Sequence, residues 1–306
     1  MNWNRFFMNA AIATLLVLIL SISSTGKAIA ANNDEESINE KYGLPVVVYG
    51  EALSVSQKEE VRKLLNVSDT NMVKEITVTG EDLVTYIKGD RNANMYSSAK
   101  IVRKDPGEGL VIKQVTPENI TEVTNEMYAN ALLTAGIQDA IVYVASPVKV
   151  SGHSALVGIY KAYDEGKGTE LNKDRTEVAN EELNLATNLA KKDGLDQDKV
   201  SELLTEIKKE IAAQNPATKA DIEKIIDDKL KNLGISLNAQ DRQLLIDLFD
   251  KMRNLNINFD NVKSQLDNLT QNIQQRIDQA IGDKDFIRKV ADFFKKLIDS
   301  LKSIFS

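Results

Sequence analysis

The 306-residue chain has one histidine, His153, and no cysteine. A Ser–His–Asp site would have to use His153, which sits in Ser151-Gly152-His153-Ser154. No G-x-S-x-G elbow accompanies it, so the ring reads as a helix N-terminal residue near the surface. Ser97-Ser98-Ala99-Lys100 satisfies S-x-x-K, in which a Lys amine activates a Ser one helical turn away. Here the segment leads into a strand, where positions i and i+3 face opposite sides, and the Ser-Asp-Asn and Lys-Thr-Gly partner motifs are missing. Gly166-Lys167-Gly168-Thr169 imitates the end of a P-loop but lacks the upstream glycine and the preceding strand, so it reads as a linker. Asp193, Asp196 and Asp198 cluster, but a calcium loop starting at Asp196 needs glycine and glutamate where Ser201 and Ile207 stand. A helix–helix turn with Asp198 as N-cap explains the same residues, with loose surface calcium binding left open.

The counts narrow the chemistry further. Without cysteine there is no disulfide, no thiolate nucleophile and no Cys-type zinc site. One histidine excludes a two-His metal site within one chain. With 38 basic against 45 acidic residues the net charge is −7, which argues against nucleic acid as a partner. At 42% hydrophobic and 27% charged the composition is that of a globular protein. No catalytic residue, metal or cofactor is assigned.

The first thirty residues read as an address. A polar start with Arg5 precedes an apolar run from Phe6 to Ile22, and Ala28-Ile29-Ala30 supplies an A-x-A cleavage site. Residues 1–30 are read as a signal peptide cut after Ala30, an uncleaved anchor being the alternative. Loss of Arg5 and Lys27 would leave 36 positive and 45 negative side chains, net −9. Residues 31–40 read as a flexible acidic leader.

Strand and helix signals alternate from Leu44. Val46–Tyr49 is a buried strand closed by Gly50, and Ser56-Gln57-Lys58-Glu59 a capping box opening a helix that buries Val61, Leu64 and Leu65. A strand over Ile76–Thr79 and a short helix over Glu81–Ile87 follow. Ala99–Lys104 and Leu110–Val115 flank Asp105-Pro106-Gly107-Glu108-Gly109, which predicts a hairpin. Then come a helix over Thr124–Ala135 stopped by Gly136, a strand over Ala140–Ala145, and a helix over Ser151–Tyr163 with close-packing Ala155, Gly158 and Ala162. From residue 170 onward apolar residues recur at helical spacing, punctuated by Asn215-Pro216, with the proline at N1, and by Gly234. Phe259, Val262, Leu266, Leu269 and Ile273 step by three and four over two heptads, read as one helix of an antiparallel bundle. The pattern predicts an α+β fold, a mixed sheet with packed helices followed by a helical bundle and a terminal amphipathic helix. The parts are an α+β domain over 41–165, a helical domain over 170–281 and a cationic helix over 284–306.

Met127-Tyr128-Ala129-Asn130-Ala131-Leu132-Leu133-Thr134-Ala135-Gly136, Val150-Ser151-Gly152 and Lys161-Ala162-Tyr163 carry a resemblance. So do Ala220–Lys224 and Phe249–Met252. The chain from about residue 44 to its end resembles the YpuA-like family, a domain of unknown function in secreted proteins of Gram-positive bacteria. The resemblance implies export, a signal peptide and a fold, but no activity; it also implies that the position of His153 is not a fixed histidine.

The functional expectation is a secreted or envelope-associated, non-enzymatic binding protein. The alternative is an extracellular hydrolase of cell-wall polymers with a carboxylate pair drawn from distant positions. Residues 284–306 carry one continuous apolar stripe of Phe286, Ile287, Val290, Phe293, Phe294, Leu297, Ile298, Leu301, Ile304 and Phe305. Six Lys/Arg against three Asp give this segment +3, leaving −12 for the rest of the mature chain. A cationic helix with a Phe-rich face suits an anionic membrane surface or an envelope partner; the same stripe also suits docking as the last helix of the bundle. Stopping the chain at Gly282 should abolish sedimentation with anionic liposomes. The membrane reading fails if the full chain stays in the supernatant or both forms sediment equally. Unfolding on truncation would place the helix in the core.

Overall fold

The computed structural model describes residues 40–166, 170–192 and 195–279. Residues 1–39, with the expected cleavage site at Ala28 and Ala30, and residues 280–306, with the cationic stripe, lie outside them.

The fold is α+β, and the elements of the first half follow the predicted order. Five strands, β1 (Val46–Gly50), β2 (Lys74–Val78), β3 (Ser98–Arg103), β4 (Leu110–Gln114) and β5 (Ala140–Ala145), form a mixed sheet in the order β2-β1-β3-β5-β4. β1 runs parallel to β2 and antiparallel to β3; β5 runs antiparallel to β3 and parallel to β4. Alternation along the strands separates two faces. Val46, Val48, Ala99, Ile101, Val142 and Val144 face the main core. Val47, Tyr49 and Ala145 face a small second core closed by Val61 and Leu65, in and just after α1 (Val55–Leu64).

The predicted hairpin is split. β3 and β4 do not pair; β5 lies between them. A gap of two strand spacings, about 10 Å, is too wide for a tight turn, but the loop over 104–109 spans it by wrapping the start of β5. Asp139 anchors that loop. Its carboxylate accepts from the amides of Gly107 and Gly109, each at 2.9 Å, and its carbonyl accepts from Lys104 N at 3.0 Å. Both glycines have positive φ, which lets their amides converge on one oxygen. The alternate residues Ala140, Val142 and Val144 of β5 are fully buried, so burial on this strand outweighs the local turn signal.

Helix starts also shift by a few residues. α1 is capped by a box of Ser54 and Gln57, not Ser56 and Glu59. α2 spans Gly80–Ile87, α3 Asn125–Ala135 and α4 His153–Glu165. Gly136 ends α3 at φ +99°, as its type requires. Gly158 lets α4 lie against β1; a Cβ there would stand 3.1 Å from Val48 Cγ1. α5 (Lys173–Ala190) is followed by α6 (Gln197–Gln214), whose N-cap is Asp196 and not Asp198. α7 (Lys219–Asn232) starts after Thr218, so Pro216 precedes the cap instead of occupying N1. α8 (Ala239–Asn254) and α9 (residues 263–279) complete the described chain.

One core runs from Val46 to Leu266, through both the sheet and the helices after residue 170. Inside it lies a buried ion pair. Lys208 on α6 is 0% exposed and Glu182 on α5 is 1% exposed, with Nζ and Oε1 2.6 Å apart. Lys208 Nζ also donates to the carbonyl oxygen and Oδ1 of Asn130 on α3, at 2.8 and 3.2 Å. Thr134, one turn on, donates to Glu182 Oε2 at 2.6 Å. Asn130 Nδ2 donates to Thr205 Oγ1 at 3.0 Å. Burial pulls the Lys208 amine below its ordinary value, opposed by Glu182. Lys208→Met alone strands the carboxylate and should cost about 3–5 kcal/mol. The double change Lys208→Met with Glu182→Gln should regain most of that. Urea unfolding checks it: equal losses in the single and double variants would show that the unpaired charge is not the cost.

Candidate functional site

The residues singled out for chemistry are engaged elsewhere. His153 opens α4, with Nδ1 3.1 Å from Ser151 Oγ and Nε2 3.1 Å from Thr187 Oγ1. Its two ring partners are hydroxyls, not the carboxylate a triad needs. Glu122 is ion-paired with Lys191 at 2.9 Å. Ser98 Oγ accepts from Gly50 N at 3.3 Å, joining β3 to the end of β1. Lys100 lies in β3 over the Tyr143 ring at 4.6 Å, so no helical turn joins Ser97 to Lys100. Asp196 caps α6 through Lys199 N at 2.7 Å. Asp193 and Lys167–Thr169 lie outside the described residues. Among the described residues no group of three metal-ligating side chains converges.

The residues that carry the family resemblance have structural work. Asn130 and Thr134 hold the buried pair, as above. Tyr128 Oη donates to Gly152 O at 2.5 Å. Gly152 sits at φ +105° against Ile120 and Tyr128, where a Cβ would be 2.7 Å from Ile120 Cγ2. Lys161 Nζ donates to Thr77 O at 2.8 Å and pairs with Asp82 at 2.7 Å, while Tyr163 packs on Arg103.

What the sequence did not point to is a groove of about 430 Å3 between β4 and α9. β4 is the edge of the sheet, and side chains cap its outward amides. Leu110 N donates to Gln265 Oε1 at 3.0 Å and Gln114 N to Asn125 Oδ1 at 3.1 Å. Leu269 and Ile273 of α9 pack beside Ala129 of α3 and against Leu110 and Ile112. Between these contacts the groove has an apolar floor of Leu110, Ile112, Ala129 and Leu269. Carboxamides rim it: Asn125 on one side, and Asn272, Gln275 and Gln279 along α9. Each supplies two donors and an acceptor, the equipment for ligand amides or hydroxyls.

Charge gathers at one side of the groove. Arg276 of α9 ion-pairs with Glu126 of α3 and, at 3.0 Å, with Asp198 of α6. Glu126 is only 7% exposed. Glu126 Oε2 and Asp198 Oδ1 are buried, and the Arg276 guanidinium is the cation that stands beside both. Burial raises the Asp198 carboxyl above its ordinary value, opposed by Arg276 and reinforced by Glu126. A sequence signal did exist: Gln271-Asn272-Ile273-Gln274-Gln275-Arg276 puts carboxamides around one apolar position. A second cavity, of about 530 Å3 between α6, α7 and α9, is lined by Glu202, Glu206 and Asp267 against Lys209 and Lys229, so it carries one carboxylate in excess. Lys209 bridges Glu206 and Asp267 at 2.8 and 3.1 Å, and Lys229 pairs with Glu210 at 2.6 Å.

The burial of His153 predicts a pH dependence of folding. Burial holds its pKa below the ordinary 6.5. As pH falls the unfolded chain takes the proton first, so stability present above pH 6.5 is lost as pH drops through the folded value. Thermal melts of His153→Gln should show a smaller loss than the parent chain between about pH 7 and about pH 5. Parallel curves would mean the ring does not titrate differently in the two states.

Residues 49–269 match the family model described as Protein of unknown function (DUF1002). The chain is 36% identical over 301 residues to Uncharacterized protein YpuA of Bacillus subtilis (strain 168), covering 96% of this chain and 97% of that one. No solved structure matches. YpuA is thus a relative along nearly the whole chain, and the chain belongs to the DUF1002 family.

Proposed function

We propose that this chain is an exported, non-enzymatic binding protein of the cell envelope that works through the groove between β4 and α9. The groove is the observation that carries the reading: an apolar floor, a carboxamide rim and one charged corner are the composition of a ligand site. Export rests on the apolar run and the Ala28/Ala30 site. The cationic stripe over 284–306 would add contact with a membrane surface. A glycosidase-type mechanism needs an acid and a base carboxyl on opposite sides of the scissile bond. Glu126 and Asp198 instead converge on one guanidinium, which suits anchoring more than proton transfer.

The test is capture from a wall-and-membrane fraction by the immobilised chain from residue 31 onward. Gln275→Trp fills the groove from its exposed wall without entering the core. Capture should fall about tenfold, the scale of one lost contact group, with an unchanged melting temperature. Equal capture by both proteins would sink the groove as the binding surface.

A further inference from the structure

We infer that the acidic segment over residues 31–39 folds back over the outer face of the sheet, with Ile38 on an apolar row and the carboxylates of Asp34, Glu35 and Glu36 over a lysine row. This face is the side of β3, β5 and β4 turned away from the groove, so the inference is independent of the reading above. Strand register lays out its side chains in two rows. Val102, Ile141 and Val111 stand side by side across the three strands. Two residues along, Lys100, Tyr143 and Lys113 do the same. Both lysines lie over the Tyr143 ring, 4.6 and 5.3 Å from its centroid, which gathers two positive charges on one aromatic. The small core under α1 is built on Val47, Tyr49 and Ala145 and reaches no further across this face than Tyr143 and Val115. Val111 is 43% exposed, whereas Val102 is 4% exposed although it belongs to neither core of the sheet. A buried apolar side chain outside both cores needs a cover from another part of the chain.

Where the described chain begins selects the occupant. It enters beside this face: Lys41 pairs with Asp105 at 3.8 Å, and Arg103 lies over the Tyr42 ring at 4.6 Å, at the end of β3 next to Val102. Ile38 is four residues before Tyr42, a reach of about 13 Å. The two strand spacings from β3 to β4 come to about 10 Å, so Ile38 can lie anywhere along the apolar row. The acidic run ends at Glu36, two residues before Ile38, and two residues is also the separation of the rows along the strands. Ile38 on the apolar row therefore brings carboxylates to the lysine row. Charge agrees with this choice. Residues 31–39 carry three carboxylates and no Lys or Arg, whereas segment 284–306, at +3, would meet lysines of its own sign.

The test is carbodiimide coupling of the chain from residue 31 onward, which joins a carboxylate to an amine in direct contact, read by mass spectrometry of the digest. Crosslinks from Asp34, Glu35 or Glu36 to Lys113 or Lys100 should exceed those to the exposed Lys224 of α7 by about tenfold. Ile38→Ser keeps every charge but gives up the apolar contact. It should cut the yield about fivefold, the scale of one partly buried aliphatic side chain. Equal coupling to Lys113 and Lys224, or an unchanged yield in Ile38→Ser, overturns the inference. Mixing isotope-labelled with unlabelled chains tests for a second copy as the cover. Crosslinks within one chain support the inference, and crosslinks between chains overturn it.

Discussion

Taking Lys208 and Glu182 out of water is a costly step on which the packing of three helices depends. Each ion alone would carry a penalty of several kcal/mol, so they are tolerable only together and fully hydrogen-bonded. Their partners come from one face of α3, where Asn130 and Thr134 lie one turn apart. The arrangement closes only if α3, α5 and α6 meet at one distance and one rotation. A slide by one turn would part both Asn130 from Lys208 and Thr134 from Glu182. The pair thus acts more as a register pin than as a source of net stability.

That pin crosses the junction near residue 166. Asp164 at the end of α4 accepts from Leu171 N at 2.7 Å and from Tyr86 Oη at 2.8 Å, and pairs with Lys173. Arg175 Nε donates to Thr134 O at 2.9 Å, satisfying a carbonyl at the end of α3. The linker is therefore flanked by polar ties, and the helices after it bury their apolar faces on the same core as the sheet. A linker-like composition at 166–169 does not separate two cores here.

The groove follows from the same constraints. With β5 inserted, β4 becomes the edge, and its outward amides need partners that no further strand provides. Gln265 and Asn125 meet that need at its two ends. α9 is held beside the edge by Leu269 and Ile273 and by Arg276 reaching across to α3 and α6. Between these ties side chains do not fill the space, and the groove remains.

Local physics made much of the first half legible in the sequence. Short β-branched runs gave the strands, and αL-tolerant Gly136 and small Gly158 gave a helix stop and a close helix–sheet contact. The order of elements and the α+β class follow from these, because both signals depend on residues near one another in the chain. Cap positions at Ser54 and Asp196 were missed by two residues, since several neighbouring side chains can serve and only backbone geometry chooses. Three things needed the tertiary structure. The split of β3 and β4 depends on β5, thirty residues on, competing for the same hydrogen bonds and offering more buried surface. Lys208 reads as a solvated helix residue until Glu182 and Asn130, distant in sequence, are brought to it. The Glu126–Asp198–Arg276 corner draws on three helices, and no spacing rule along one chain brings together residues whose only relation is that α3, α6 and α9 pack side by side.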